Sequence, residues 1–301
     1  MSEQTQPSNV SNVRWDPTSS TQPVHLQVPR RRRRPSIVAL GLILGLALAI
    51  YFLIPNRRNI LLLGIDRAPD GTALSRTDTM ILTTVKPLEA YIGMLSIPRD
   101  LWVQLPTGGE GRINSAHFFA ENAQSGSGPD AAKEVVQQNF GVDVHYFVRF
   151  QFDGFVDFID ALGGVPIELE QPMAGYAAGT YTLNGQQALA FVRDRKGTDD
   201  FFRMDHGQLF IKAILRHMLK PGSWIHLPVA IPSLITAMDT DIPFWLWPRI
   251  GLALLREGPD GIDFHMISRE MVQGFITDQG AQVLAPDWSR INPVLMEVFG
   301  Q

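Results

Sequence analysis

The chain has 301 residues, 45% of them hydrophobic, a formal net charge of −4 and no cysteine. Disulfides, thiol nucleophiles and zinc–thiolate centres are therefore excluded. Residues 1–58 hold eight arginines and two acids, a net +6, so the remainder carries −10, a balance that argues against a general polyanion or nucleic-acid binder.

Residues 1–36 are rich in Ser, Thr, Gln and Pro and end in a basic run, Arg30–Arg34. They hold too little apolar surface to fold alone, which predicts a disordered tail. Ile37–Ile54 follows as 18 residues without charge. At about 1.5 Å per residue such a helix spans roughly 27 Å, close to the hydrocarbon core of a bilayer. The arginines before it outnumber Arg57 and Arg58 after it, so the N-terminus is expected in the cytoplasm and the rest outside the cell membrane. Ala47-Leu48-Ala49 resembles a cleavage site, but the apolar run continues past it, which favours a retained single-pass anchor.

From Asn59 onward the apolar runs shorten. Asn59–Ile65, Met80–Val85 and Ala90–Ile97 read as strands, the last two separated by a turn at Lys86-Pro87. Gly128-Pro129-Asp130 opens a helix to Phe140, which Gly141 stops. Val144–Phe150 is strand-like, Asp153–Leu162 has helical spacing, and Val165–Leu169 is another strand. Asn184 caps a helix through Gln187 to about Val192. Asp205–Leu219 is a longer amphipathic helix closed by Pro221-Gly222. Helices near Ile231–Met238 and Phe244–Leu255, a strand near Ile262–Ile267 and a helix near Pro293–Phe299 complete the chain. Strands interleaved with helices predict one layered α/β domain over residues 59–301, a central mixed sheet between helical layers.

Two charged segments stand at the ends of apolar runs. In the first, Asp66 follows a strand and Asp78 precedes the next. Two carboxylates converging there can hold a hard cation such as magnesium, orient an arginine or accept a proton; both can equally be ordinary turn residues. Arg99 leaves its strand through Pro98, which stiffens the exit. Its planar fork suits a phosphate, and Arg76, Arg112 and Asn114 can line the same face. In the second segment Arg193 and Arg195 alternate beside Lys196, with Asp199, Asp200 and Arg203 beyond. If that stretch is extended, Arg193 and Arg195 face one side and an anion between them relieves their repulsion; a solvated face neutralised by its aspartates is the alternative. No HExxH helix, GxSxG elbow, GxGxxG turn or phosphate loop ending in Gly-Lys-Ser/Thr is present. His117 and His206 lie near these segments, and a lone histidine is more often structural.

Taken in order, several short pieces resemble the LytR-CpsA-Psr family of cell-envelope proteins. They are Leu63-Gly64-Ile65-Asp66-Arg67, Arg76-Thr77-Asp78-Thr79-Met80, Ser96-Ile97-Pro98-Arg99-Asp100 and Arg112-Ile113-Asn114-Ser115-Ala116. Ala161-Leu162-Gly163-Gly164-Val165, the run Leu183–Ala190 and Val192-Arg193-Asp194-Arg195-Lys196 continue the set. The resemblance covers roughly residues 59–220, and its ordered set is far more specific than any one piece.

That resemblance implies an enzyme, a magnesium-assisted phosphotransferase that moves a glycopolymer from a polyprenyl-pyrophosphate carrier to peptidoglycan. It leaves a phosphodiester link and polyprenyl phosphate, with Mg2+ or Mn2+ as cofactor and the bilayer as a partner. By the matching motifs Asp66 and Asp78 sit at the metal–pyrophosphate site. Arg76 orients those acids or touches phosphate, while Arg99, Arg193, Arg195 and Arg203 hold pyrophosphate oxygens, joined at the substrate site by Arg112 and Gln208. An apolar channel between sheet and helices would shelter part of the lipid. One departure stands out. The family has Arg-Gln-Gln shortly after the last arginine, where this chain reads Arg203-Met204-Asp205-His206-Gly207-Gln208, so a histidine and a glycine replace two polar groups. A hydrolase acting on the same carrier, and a non-catalytic binder or sensor of it, are the rival readings.

Overall fold

The computed structural model describes residues 37–53, 57–65, 77–194 and 200–300. The chain divides into two compact units, residues 1–48 and 49–301. Helix α1, Ile37–Leu53, is apolar throughout and has no buried residue. It matches the uncharged run except for Ile54, which lies outside the described residues. Among the described residues no helix is long and apolar enough to cross a membrane; α1 itself has 17 residues.

In chain order the second unit runs β1 (Arg58–Ile65), β2 (Thr77–Lys86), β3 (Tyr91–Ile97), β4 (Trp102–Gln104), β5 (Glu110–Arg112), α2 (Ser115–Ala123) and α3 (Gly128–Phe140). Then come β6 (Tyr146–Gln151), α4 (Phe152–Ala161), β7 (Val165–Leu169), β8 (Gly179–Leu183), α5 (Gly185–Arg193) and α6 (Asp200–Leu219). The last part holds α7 (Leu227–Ala237), β9 (Met238–Thr240), α8 (Trp247–Gly261), β10 (Asp263–Met266), β11 (Val272–Ile276), β12 (Gln282–Pro286) and α9 (Trp288–Phe299). Six strands form one mixed sheet in the order β10-β3-β2-β1-β6-β9. Strand β1 pairs antiparallel with β2 and parallel with β6. The pairs β4–β5, β7–β8 and β11–β12 are separate hairpins.

The central strands are apolar on both faces, as a sheet covered on both sides requires. Leu61, Leu63, Met80, Leu82, Leu95 and Ile97 point to one face and pack with residues of α3 and α9. Their neighbours Ile60, Ile81, Val85, Ile92 and Met94 point to the other, against α8 and the half-buried Ile211 and Leu215 of α6. A third apolar cluster joins α4, α5, α6 and α7 to the β7–β8 hairpin. The layered α/β arrangement with a mixed sheet is therefore as the sequence predicts.

Two differences from the expected elements bear on the site. Asn184 caps α5 through a full capping box with Gln187, and the helix runs on through Arg193. Arg193 is thus helical, not extended, and its partner in the conditional same-side reading, Arg195, lies outside the described residues. The start of α6 lies at Asp200, earlier than expected, which puts Arg203 inside the helix.

Beneath β6 lies an ionic cluster that is buried except for Asp239. Arg149 donates to Glu121 at 3.1 Å and to Asp239 at 2.6 Å, and the Nε2 of His117 is 3.4 Å away. Glu121 also accepts the amides of Gly126 and Gly128, each at 2.9 Å. A side chain at Gly128 would start 2.6 Å from the Glu121 carboxylate, so only glycine lets the loop close over it. Burial works to raise the Glu121 pKa, but the two amides and the Arg149 charge prevail and hold it below the ordinary carboxylate value. Arg149→Ala should therefore destabilise the fold by about 3–5 kcal/mol, because Glu121 keeps a buried charge without its cation. The share tied to the depressed Glu121 pKa is present above the unfolded value near ~4.3 and lost as pH falls through the folded value. Denaturant unfolding between neutral and acid pH should show a smaller acid loss in the variant than in the wild type.

Candidate active site

Three segments converge at one end of the sheet: the start of β2, the exit of β3 and the first turns of α6. Asp78 is the second residue of β2. Arg99 leaves β3 through Pro98 and donates from Nη1 to the Asp78 carboxylate. Arg203 reaches in from α6, donating to the Asp78 carbonyl at 2.7 Å, with its Nη1 3.7 Å from the carboxylate. On its other side Arg99 faces Asp100, Nε to Oδ2 3.4 Å. Asp100 in turn pairs with Arg112 at 3.0 Å.

The result is an alternating row, Arg203–Asp78–Arg99–Asp100–Arg112, with three cations and two anions. Its members are half-buried except Arg203, whose side chain is 8% exposed. Within this row one positive charge exceeds the carboxylates. A phosphate placed along it meets fixed donors in a partly desolvated site, where such contacts are stronger than in bulk water.

Local packing fixes the scaffold. Asn114 is buried and donates to the Thr77 carbonyl at 3.2 Å, which steadies the start of β2. The pairing of β1 with β2 shifts at Gly64/Ile65. A side chain at Gly64 would begin 3.1 Å from Thr79 Cβ and 3.7 Å from the Phe152 ring, so the close approach there suits glycine. Arg193, at the end of α5, stacks on that same ring, its guanidinium carbon 4.5 Å from the centroid. Phe152 thus lies between Arg193 and the Gly64 backbone of β1. A cavity of about 40 Å³ opens here, lined by Asp78, Ser96, Val192, Arg203, Met204 and Gly207 among others.

Of the residues singled out in the sequence, the structure brings together Asp78, Arg99, Arg112 and Arg203, and Arg193 directly follows Val192, which lines the same cavity as Asp78 and Arg203. Gln208 is held beneath them. Its amide donates to Ser96 Oγ at 2.9 Å and to the His265 carbonyl at 2.7 Å, tying α6 to β3 and β10. Asp66, Arg76 and Arg195 lie outside the described residues. Sequence reasoning missed Arg269, which stacks on Phe201 and Phe202 at 5.5 and 5.1 Å, beside the first turn of α6. No local motif marks it. Among the described residues no group of three or more acidic or histidine side chains is placed to bind a metal.

The departure at His206-Gly207 has a structural reading. His206 is 5% exposed and turned against Phe191, ring centroids 5.2 Å apart. Burial pushes its pKa below the ordinary histidine value, against the charges of Asp194 and Asp205 and a hydrogen bond to the Phe191 backbone. The imidazole is therefore neutral at pH 7 and serves packing. Gly207 lines the cavity, and a side chain there would meet nothing within 4 Å.

The LytR_cpsA_psr family model matches residues 53–295. Over 163 residues the chain is 39% identical to the polyisoprenyl-teichoic acid–peptidoglycan teichoic acid transferase TagU of Oceanobacillus iheyensis, covering 52% of this chain and 50% of that protein. It is 29% identical over 193 residues to the regulatory protein MsrR of Staphylococcus aureus, covering 62% of this chain and 56% of that protein. The chain thus spans about half the length of these curated relatives. The crystal structure of B. subtilis TagV superposes with a TM-score of 0.65 at 25% identity, covering 82% of this chain and 99% of that one.

Two substitutions test the α6 packing. Gly207→Ala should stabilise the protein by about 0.4–1 kcal/mol, since the helical backbone accepts alanine and the space is open. His206→Arg should destabilise by about 1–3 kcal/mol through overpacking against Phe191. Denaturation midpoints for the two variants should move in opposite directions.

Proposed function

Because this chain belongs to the LytR_cpsA_psr family, we propose that it is a membrane-anchored phosphotransferase. It moves a glycopolymer from a polyprenyl-pyrophosphate carrier onto peptidoglycan. The observation that carries this reading is the row Arg203–Asp78–Arg99–Asp100–Arg112, which offers a surplus of guanidinium forks at the lip of a sheet. The name of the TagU relative supports the same reaction class.

The pyrophosphate lies along that row, with Arg99 and Arg203 on its oxygens and Arg193 closing from the end of α5. An acceptor sugar hydroxyl attacks the phosphorus nearest the glycopolymer. A new P–O bond forms, the bond to the bridging oxygen breaks, and polyprenyl phosphate leaves with that oxygen. The hydroxyl proton passes to a carboxylate of the lip, where Asp78 is the described candidate. The arginines are fixed before the reaction, so they stabilise the charge that grows in the transition state without reorganising.

The residues fit magnesium only in partnership with the substrate. Asp78 offers the carboxylate oxygen a hard cation prefers, but its described neighbours are guanidiniums. Mg2+ is commonly held by one or two carboxylates plus substrate phosphates, so Asp78, with Asp66 by the family pattern, would hold it as a metal–pyrophosphate complex. Bound there, the ion would neutralise charge on the phosphate oxygens.

Helix α6 suits an amphipathic carrier. Arg203, Gly207, Ile211 and Leu215 recur every fourth residue and so share one stripe of the helix. The stripe begins at the ionic row and ends in the apolar layer between the sheet and α8, where Leu62, Phe150, Ile211 and Leu215 are only partly buried. The polyprenyl chain would follow it. The uncharged run from Ile37, preceded by five arginines, would hold the domain on the outer face of the membrane that contains the carrier.

The test is direct. The purified chain is incubated with a polyprenyl-pyrophosphate-linked saccharide and peptidoglycan fragments, with and without magnesium. Release of polyprenyl phosphate together with a sugar–phosphate–glycan adduct is the expected result. Release without adduct would point to hydrolysis, and tight lipid binding without release to a non-catalytic binder. Arg99→Ala should lower turnover by about 10²–10³-fold, the usual loss when one preorganised donor is removed, with the circular dichroism spectrum unchanged.

A further inference from the structure

We propose that the turn between Pro243 and Pro248 is a second membrane contact, with Phe244 and Trp245 seated at the headgroup level of the bilayer. The inference rests on the reading of the Ile37–Ile54 run as a membrane anchor.

Phe244 is 80% exposed and Trp245 55% exposed, although both are large and apolar. Their rings meet edge to face at 5.2 Å, so they form one projecting pair. The residues on either side are buried: Ile242 and Leu246 are each 7% exposed and belong to the apolar layer against the sheet. Phe244–Leu246 is a single 3₁₀ turn entered through Pro243. The aromatic pair therefore stands on a pinned, stiffened base, and its exposure is built into the backbone.

The occupant follows from what the turn touches. Tyr51, in the last turn of α1, donates its hydroxyl to the Trp245 carbonyl. Its ring also faces Arg249, whose guanidinium carbon lies 5.6 Å from the centroid. The uncharged run ends three residues beyond Tyr51, and Arg57 and Arg58 follow closely. If that run crosses the bilayer, Tyr51 marks the depth at which the chain leaves the hydrocarbon, and a hydrogen bond holds Trp245 beside it. Trp and Tyr are enriched at this depth, where an apolar ring and a polar edge are both satisfied. Two attachment points would fix the tilt of the domain, whereas a single helix leaves it free to swivel.

The absence of native cysteine allows site-specific labelling of the full chain. Phe244→Cys, Ala47→Cys and Ile276→Cys are each labelled with an environment-sensitive fluorophore. Each is then reconstituted in phosphatidylcholine–phosphatidylglycerol vesicles with shallow or deep spin-labelled lipids. Ile276 is 66% exposed on β11 and serves as the aqueous reference. The expected result is a blue-shifted label at 244 quenched by the shallow spin label, deep quenching at 47, and a water-like spectrum at 276. A water-like label at 244 with quenching at 47 overturns the second contact and leaves the anchor intact. Water-like labels at both 244 and 47 overturn the anchor reading and this inference with it. A blue shift at 244 that appears only at high protein density, without lipid quenching, would assign the pair to contact between copies and also overturn it.

Discussion

The structure of the site depends on one aspartate. Asp78 holds the guanidinium of Arg99 and accepts Arg203 at its own carbonyl, so the start of β2, the exit of β3 and α6 are pinned to one another. Arg203 is 7% exposed, and a guanidinium that deep needs anionic or carbonyl partners to offset its lost hydration. Without Asp78 the two arginines would face each other with no charge between them. Asp78 thus orders Arg99 through its carboxylate and docks α6 on the sheet mainly through its backbone carbonyl.

The sheet and most helices were legible because their signals are strong and local. The runs at β1 and β3 are nearly continuous in apolar residues and β2 carries Met80-Ile81-Leu82 at its centre; burial on both faces explains why these do not alternate with polar ones. The short hairpins β4–β5 and β11–β12 went unseen, since three to five residues with mixed burial give no period to read. The Asn184 cap marked α5, but nothing in Arg-Asp-Arg says whether the helix ends before or after Arg193; in the fold it runs one residue past Val192 and takes Arg193 with it. Of the candidate site, Asp78 and Arg99 could be found from their places at strand ends. The support from Asn114 and Gln208 to backbone carbonyls could not, because those partners are distant in sequence.

The departure at His206-Gly207 also reads differently in three dimensions. From the sequence a neutral histidine looks like a weakened cation at the phosphate. In the fold it faces Phe191, and Gly207 is the position that borders the cavity. At that point the chain has open volume next to Asp78 and Arg203, a property of shape more than of charge. The stripe that continues through Ile211 and Leu215 keeps its apolar character.

Strand β1 follows the apolar helix after four residues and occupies an interior place in the sheet, bonded along most of its length to β2 on one side and to β6 on the other. If the N-terminal run is the membrane anchor proposed above, any load on the domain enters through this strand. Force along β1 loads its hydrogen bonds with both neighbours in shear, so many must yield together. An edge strand would peel one bond at a time. The topology therefore gives the domain mechanical resistance at its N-terminal strand.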